Sequence, residues 1–196
     1  MPQAHSALLI VDVQNDFCPG GALAVPEGDA IIPKLNAYIR LFAEAGRPVL
    51  ASRDWHPPET THFVSGGGPW PPHCVQNTPG AAFHPDLALP RDAVIVSKGM
   101  GAQEDAYSAF DARDEASRSL GEHLRRMGVR HLYVAGLALD YCVKASALDA
   151  VRQGLRSTVL LDATRAVNVR PHDAELALEE LLRQGVELAV LEQLKD

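Results

Sequence analysis

Helical and strand-like periodicities alternate along this chain, and a glycine closes each helical stretch before the next strand begins. Residues 29–45 carry Ile31, Leu35, Tyr38, Ile39 and Phe42 at helical spacing and end at Gly46. Residues 115–127 place Ala116, Leu120, Leu124 and Met127 on one face ahead of Gly128, and the helices predicted at 141–153 and 171–184 stop at Gly154 and Gly185. Short apolar runs at 7–13, 48–52, 93–97, 131–137, 156–161 and 186–191 read as strands. The first is almost continuously apolar, as a strand covered on both faces must be. Strand, helix and strand in this rhythm make βαβ units. The expected fold is therefore α/β, a three-layer α/β/α arrangement around a mostly parallel sheet of about six strands, in a single domain over residues 1–196.

Residues 53–92 break the rhythm. They are rich in Pro, Gly and His, yet they also hold Trp and Phe, so a functional loop is expected in place of disorder. The net charge of -7 is scattered, with no basic stripe to neutralise phosphates, and nucleic acid is not an expected partner. The first apolar run has no charged residues ahead of it and continues into Asp12, which reads as a strand and not as a secretion signal. No stretch reaches membrane-spanning length. The three cysteines, Cys18, Cys74 and Cys142, do not form a disulfide pattern, which points to a reducing compartment and a cytoplasmic protein.

Open parallel sheets bind ligands beyond the carboxyl ends of their strands. The residues just past the predicted strands are Asp12 to Phe17, then Asp54 and His56, then Lys98, then Leu137 to Cys142. Cys142 is the candidate nucleophile. With Asp140 as a helix cap, it would sit in a first helical turn, where the dipole favours thiolate; read alone, it is equally a small core residue. Asp12 is a candidate general base or a structural partner of Lys98. Lys98 is a candidate cation for a thiolate and an oxyanion or an ordinary lysine after a strand. Cys18 and Cys74 lack a comparable helix start and are expected to be structural. Asp54, His56 and His73 offer one oxygen and two imidazoles, a set suited to zinc, iron or manganese. A polar surface loop would also fit, and His62 and His84 compete for the same role.

These residues lie in longer stretches: ALLIVDVQNDFCPGGALAVPEGDAIIPKLN, SRDWHP, WPPHCVQNTPGAAFHPDL, SKGM with DAYSAF, and VAGLALDYCVKASALDA. In order and spacing they resemble the nicotinamidases of the isochorismatase-like hydrolase superfamily, from about Ala7 to Val167. The resemblance implies a Rossmann-like sheet and an amidohydrolase that converts nicotinamide to nicotinate and ammonia in NAD salvage, and that also takes pyrazinamide. It implies a catalytic triad of Asp12, Lys98 and Cys142, and metal ligands Asp54, His56 and His73. It further implies pyridine-flanking aromatics Phe17, Trp70 and Tyr107, and an oxyanion hole from the backbone of Ala138 and Cys142 beside a cis Leu137–Ala138 bond. The implied cofactor is one divalent metal ion, zinc first with iron or manganese as alternatives, and no organic cofactor. Where some relatives have an acidic fourth ligand, residues 64–68 carry no carboxylate, so three protein ligands plus water are expected. Leu139 stands where many relatives have Thr, which leaves the triad intact.

The cycle so implied has Asp12 take the Cys142 proton, the thiolate attack the carboxamide, and a thioester yield to water. Two rivals are another amidohydrolase of the superfamily and a catalytically silent protein that binds pyridine metabolites. The intact Asp12, Lys98 and Cys142 set argues against the second. The resemblance leaves a homo-oligomer open, with no membrane partner.

Overall fold

A computed structural model describes residues 2–104 and 107–195. Six strands form one sheet: β1 (Ser6–Val11), β2 (Val49–Asp54), β3 (Val94–Lys98), β4 (His131–Leu137), β5 (Arg156–Arg165) and β6 (Glu187–Ala189), in the order β3-β2-β1-β4-β5-β6. Every neighbouring pair is parallel. The helices are α1 (Ile32–Glu44), α2 (Leu120–Arg126), α3 (Lys144–Arg152), α4 (Asp173–Arg183) and α5 (Leu191–Lys195).

Every residue of β1 is buried, and its alternation assigns the two layers. Leu8 and Ile10 face α1 and α5 through Leu35, Tyr38, Ile39, Phe42 and Leu191. Ala7, Leu9 and Val11 face α2, α3 and α4 through Leu120, Leu124, Ala147 and Leu181. The three-layer α/β/α arrangement expected from the sequence is thus what forms. Among the described residues no helix is long and apolar enough to cross a membrane.

The strand order reverses direction between β1 and β4, which opens a crevice at their carboxyl ends. Gly136 makes the close approach there. Its φ is 114°, and a Cβ would lie 2.1 Å from the Val11 carbonyl oxygen. The register of β4 against β5 also shifts between Val134 and Gly136, so the strand bends just before it reaches the crevice.

Several boundaries depart from the sequence expectation. α2 begins at Leu120 and not near residue 115, because Ser119 and Glu122 form a capping box: the Ser119 hydroxyl accepts the Glu122 N–H, and the Glu122 carboxylate accepts the Ser119 N–H. The residues before it turn around Asp114, whose Oδ1 accepts from the N–H groups of Ala116 and Arg118. β5 runs on to Arg165, and Leu191 opens α5 where the last strand was expected to end. The stretch expected to start a helix at 141 is instead a π-helical turn, Leu139–Val143, that leads into α3.

At the opposite end of the sheet, His131 is buried and stacks on Tyr133 with ring centroids 4.1 Å apart. Its Nε2 lies 2.7 Å from Thr158 Oγ1, and its Nδ1 has no hydrogen-bond partner among the described residues. Burial, reinforced by Arg156, disfavours the imidazolium and pushes the pKa down to about 4, from 6.5 for an ordinary histidine. Below about pH 6.5 the unfolded chain takes up a proton that the folded protein refuses. The stability gained from neutral His131 is therefore complete above that pH and is lost as pH falls toward 4. Urea unfolding should show a decline of up to roughly 2–3 kcal/mol from this group between about pH 7 and 4.5. His131→Gln should flatten the decline. A variant with the wild-type pH slope would assign the effect to other groups.

Candidate active site

The carboxyl ends of β1, β2, β3 and β4 each deliver one ionisable or nucleophilic group to the crevice. Asp12 follows β1 with φ at 50° and is fully buried. Its Oδ1 accepts from the Ser52 hydroxyl at 2.7 Å, and its Oδ2 lies 2.9 Å from Lys98 Nζ. Asp54 and Lys98 are the last residues of β2 and β3 and are register partners, so the parallel pairing itself sets them side by side. Lys98 Nζ donates to Asp54 Oδ1 and lies 3.6 Å from Cys142 Sγ. A single buried ammonium thus touches two carboxylates and the thiol.

Gln14 locks this corner. Its amide donates to the Asp54 carbonyl at 2.8 Å and to the Ala81 carbonyl at 2.9 Å, and its Oε1 accepts the Asp54 N–H at 2.8 Å. Asp54 is thereby held as firmly as a ladder residue, although it ends its strand.

Burial works to lower the Lys98 pKa, but Asp12 and Asp54 outweigh it and hold the ammonium charged. Burial raises Asp12, with Lys98 opposing, and the net direction is up. For Asp54 burial also works upward, but the adjoining Lys98 ammonium works against it and the net direction is well down, leaving the carboxylate ionised. The Cys142 thiol is pushed well up by burial, against the pull of Lys98. Cys142 therefore rests as a thiol beside a base with raised proton affinity, and not as the dipole-stabilised thiolate the sequence suggested. The expected helix cap is also absent. Asp140 accepts from the N–H groups of Val167 and Asn168 at 3.0 and 2.8 Å, tying the chain after β5 to the floor of the site.

The triad candidates do converge. So do the metal candidates, with one addition. His56, His62 and His73 are all buried, and their ligand atoms lie within 4.8 Å of one another. Asp54 Oδ2 joins them, 3.6 Å from His56 Nε2 and 3.8 Å from His73 Nε2. The expectation of three protein ligands is thus enlarged by His62, whose ring stacks on His56 at 4.7 Å. The irregular stretch expected to begin at residue 53 in fact begins after Asp54, which ends β2 in contact with Lys98.

The imidazole tautomers follow from their outer partners. His56 Nδ1 faces the Gly99 carbonyl at 3.1 Å and His73 Nδ1 faces the Pro71 carbonyl at 2.8 Å, so each Nδ1 must carry the hydrogen. In the neutral imidazole that leaves each Nε2 lone pair facing Asp54 Oδ2, at 3.6 Å for His56 and 3.8 Å for His73. His56 Nε2 is buried with no hydrogen-bond partner among the described residues. Two bare imidazole nitrogens and a carboxylate oxygen facing one another are mutually repulsive acceptors unless a cation sits among them. The donor set fits a divalent metal ion. Gly99 makes the arrangement possible, since a Cβ there would lie 2.4 Å from the His56 ring.

Above this floor stands a cleft lined by Phe17, Trp70, Tyr107, Tyr141, Val167 and Cys142, with about 450 Å³ of empty space partly open to solvent. Trp70 Nε1 donates to the Tyr107 hydroxyl at 2.9 Å. Phe17 contacts His73 with ring centroids 5.5 Å apart. The three expected aromatics all line the cleft, and Tyr141, Val167, Leu23 and Val25 extend its walls beyond them. Tyr141 packs edge-on against Trp70 at 5.2 Å. Its place next to Cys142 was the one sequence signal for it. Ala138 borders the same cleft, and the Leu137–Ala138 bond is cis, as the resemblance implied.

Comparison with known proteins agrees with this geometry. The Isochorismatase domain matches residues 6–191. The nicotinamidase of Escherichia coli is 42% identical over 94% of each chain. The nicotinamidase/pyrazinamidase of Mycobacterium tuberculosis is 44% identical over 93% of this chain and 97% of its own. The crystal structure of the pyrazinamidase of Pyrococcus horikoshii in complex with zinc superposes with a TM-score of 0.88 at 49% identity, covering 95% of this chain and 99% of that one. With the sheet order, the crevice residues and these matches all in agreement over nearly its full length, the protein belongs to the isochorismatase domain family.

Proposed function

We propose that this protein is a nicotinamidase, hydrolysing nicotinamide to nicotinate and ammonia with Cys142 as nucleophile. The observation that carries this reading is the buried Lys98 ammonium, in reach of both Asp12 and the Cys142 thiol at the floor of an aromatic cleft. Named nicotinamidases among the relatives supply the substrate.

In the first half-reaction the Cys142 proton passes to Asp12 as the sulfur–carbon bond forms at the carboxamide. The backbone N–H groups of Ala138 and Cys142 receive the oxyanion. Asp12 then returns the proton to the departing nitrogen, the carbon–nitrogen bond breaks, and ammonia leaves a thioester. In the second, water attacks the thioester carbon and gives a proton to Asp12. The carbon–sulfur bond breaks, and the sulfur takes that proton back. Lys98 stays charged throughout and offsets the negative charge that moves between Asp12 and sulfur. Its second partner, Asp54, joins Asp12 in holding the ammonium protonated.

Asp54, His56, His62 and His73 would hold the metal. When bound, it supplies a Lewis-acidic point that a pyridine nitrogen, directly or through water, can recognise. Phe17, Trp70 and Tyr107 would confine the ring plane. We place the activity in the cytoplasm, on the strength of three unpaired cysteines.

The test is ammonia release from nicotinamide, pyrazinamide and benzamide, with and without added metal. Nicotinamide and pyrazinamide both carry a ring nitrogen meta to the carboxamide and should be hydrolysed. Benzamide leaves that polar contact unpaired and should be a poor substrate, by at least about tenfold in kcat/KM. Stripping the metal should remove most of the preference. Equal use of benzamide and nicotinamide by metal-loaded protein would overturn the ring-nitrogen reading.

A further inference from the structure

Asp16 lies outside the triad and outside the metal cradle, yet its carboxylate ties three loops of the site together. Its Oδ2 accepts the Cys74 N–H at 2.7 Å, and its Oδ1 accepts the Ala22 N–H at 3.2 Å. Its own carbonyl accepts the Leu23 N–H at 2.9 Å, and the next carbonyl along, that of Phe17, accepts the Val25 N–H at 3.0 Å. The third loop closes over it at Gly80, where a Cβ would lie 2.2 Å from Oδ2. Cys74 has φ at 45°, a left-handed conformation that a non-glycine residue holds only when its surroundings impose it.

The neighbours of the two anchored positions are the residues that matter for the site. His73 precedes Cys74, and Phe17 follows Asp16; their rings touch in the cleft. Leu23 and Val25, brought back by the folded loop, line the same cleft. We propose that Asp16 is a positioning residue that presents the His73 imidazole to the metal and fixes the Phe17 wall relative to it. The charged acceptor suits the task, because one carboxylate offers an oxygen to each of two N–H donors that no neutral side chain of this size could satisfy together. This inference rests on the metal cradle proposed above.

The test compares wild type with Asp16→Asn and Gly80→Ala. The first is isosteric but turns an NH2 toward one of the two N–H donors. The second presses on the same carboxylate from the opposite loop. Zn²⁺ affinity is measured by competition with a chelator, and Co²⁺ loading is followed by its d–d absorption. The alkylation rate of Cys142 in metal-free protein, read by mass spectrometry, and the kcat and KM for nicotinamide complete the set. Both variants should lose about tenfold or more in Zn²⁺ affinity, within the range typical for outer partners of metal ligands. Both should show altered Co²⁺ bands and a raised KM, while Cys142 alkylation stays within about twofold of wild type. Unchanged Zn²⁺ affinity and Co²⁺ bands in either variant would overturn the role of Asp16, as would a fall in alkylation as large as the fall in affinity. A wild-type protein that binds neither ion would sink the cradle itself and this inference with it.

Discussion

Cys142→Ala is expected to abolish nicotinamide turnover while leaving nicotinamide binding intact. The thiol lies 3.6 Å from Lys98 Nζ, and its removal takes away the atom proposed to form the covalent bond. Loss of a nucleophile on this scale removes at least ~10³-fold in rate, because the remaining machinery has nothing to activate. Binding should survive, since Phe17, Trp70 and Tyr107 and the histidine cradle are untouched. Cys18→Ala and Cys74→Ala should keep most activity; both thiols are buried away from the cleft lining, and burial pushes that of Cys18 up to about 11. Initial rates of ammonia release, with nicotinamide binding followed by calorimetry, make the comparison. A Cys142→Ala protein retaining more than a few per cent of the wild-type rate would rule out the covalent route.

Asp12→Asn is expected to slow turnover by about 10²–10⁴-fold, the usual consequence of losing a general base. Asparagine keeps the shape and can still accept from Ser52, but it cannot take the thiol proton. Alkylation of Cys142 should slow in parallel, since the thiol is held well above its ordinary range by burial and needs that base. The pH profile gives an independent sign. Burial raises Asp12, so the wild-type rate should fall on the acid side at a pH above the ordinary carboxylate range, as the base becomes protonated. That limb belongs to the coupled Asp12 and Cys142 pair, and it should disappear in the variant. Near-normal turnover by Asp12→Asn would assign the base elsewhere.

The parts of this site that the sequence disclosed are those governed by short-range rules. The run at residues 7–13 could only be a strand covered on both faces, and the glycines after each helix pattern marked the joints; all six strands appear, in parallel. Asp12, Lys98 and Cys142 stand just past or at strand ends, where parallel sheets expose their sites. Residues whose placement depends on long-range packing were harder to see. His62 and His84 are both histidines of the same irregular stretch, and only tertiary folding shows that His62 turns inward against His56 while His84 bonds to the backbone of Asp86. Val167 reaches the cleft because Asp140 captures its N–H across 27 residues of chain, a pairing no local pattern announces. The start of α2 was misplaced for a different reason. Ala116 fits the helical period, but the Ser119 and Glu122 capping box overrides periodicity.

The spacing of the corner formed by Asp54, Lys98 and Cys142 sets a condition on how the proposed centre assembles. Lys98 is 44 residues from Asp54 in one direction and 44 from Cys142 in the other. Each step from one group to the next crosses at least one full strand, so none of these contacts is local. They close only when β1, β2, β3 and β4 have docked in order, and long-range parallel pairing of that kind is slow to form. A partly folded intermediate, however rich in helix, has no assembled centre. Amide hydrolysis therefore reports completion of the central sheet.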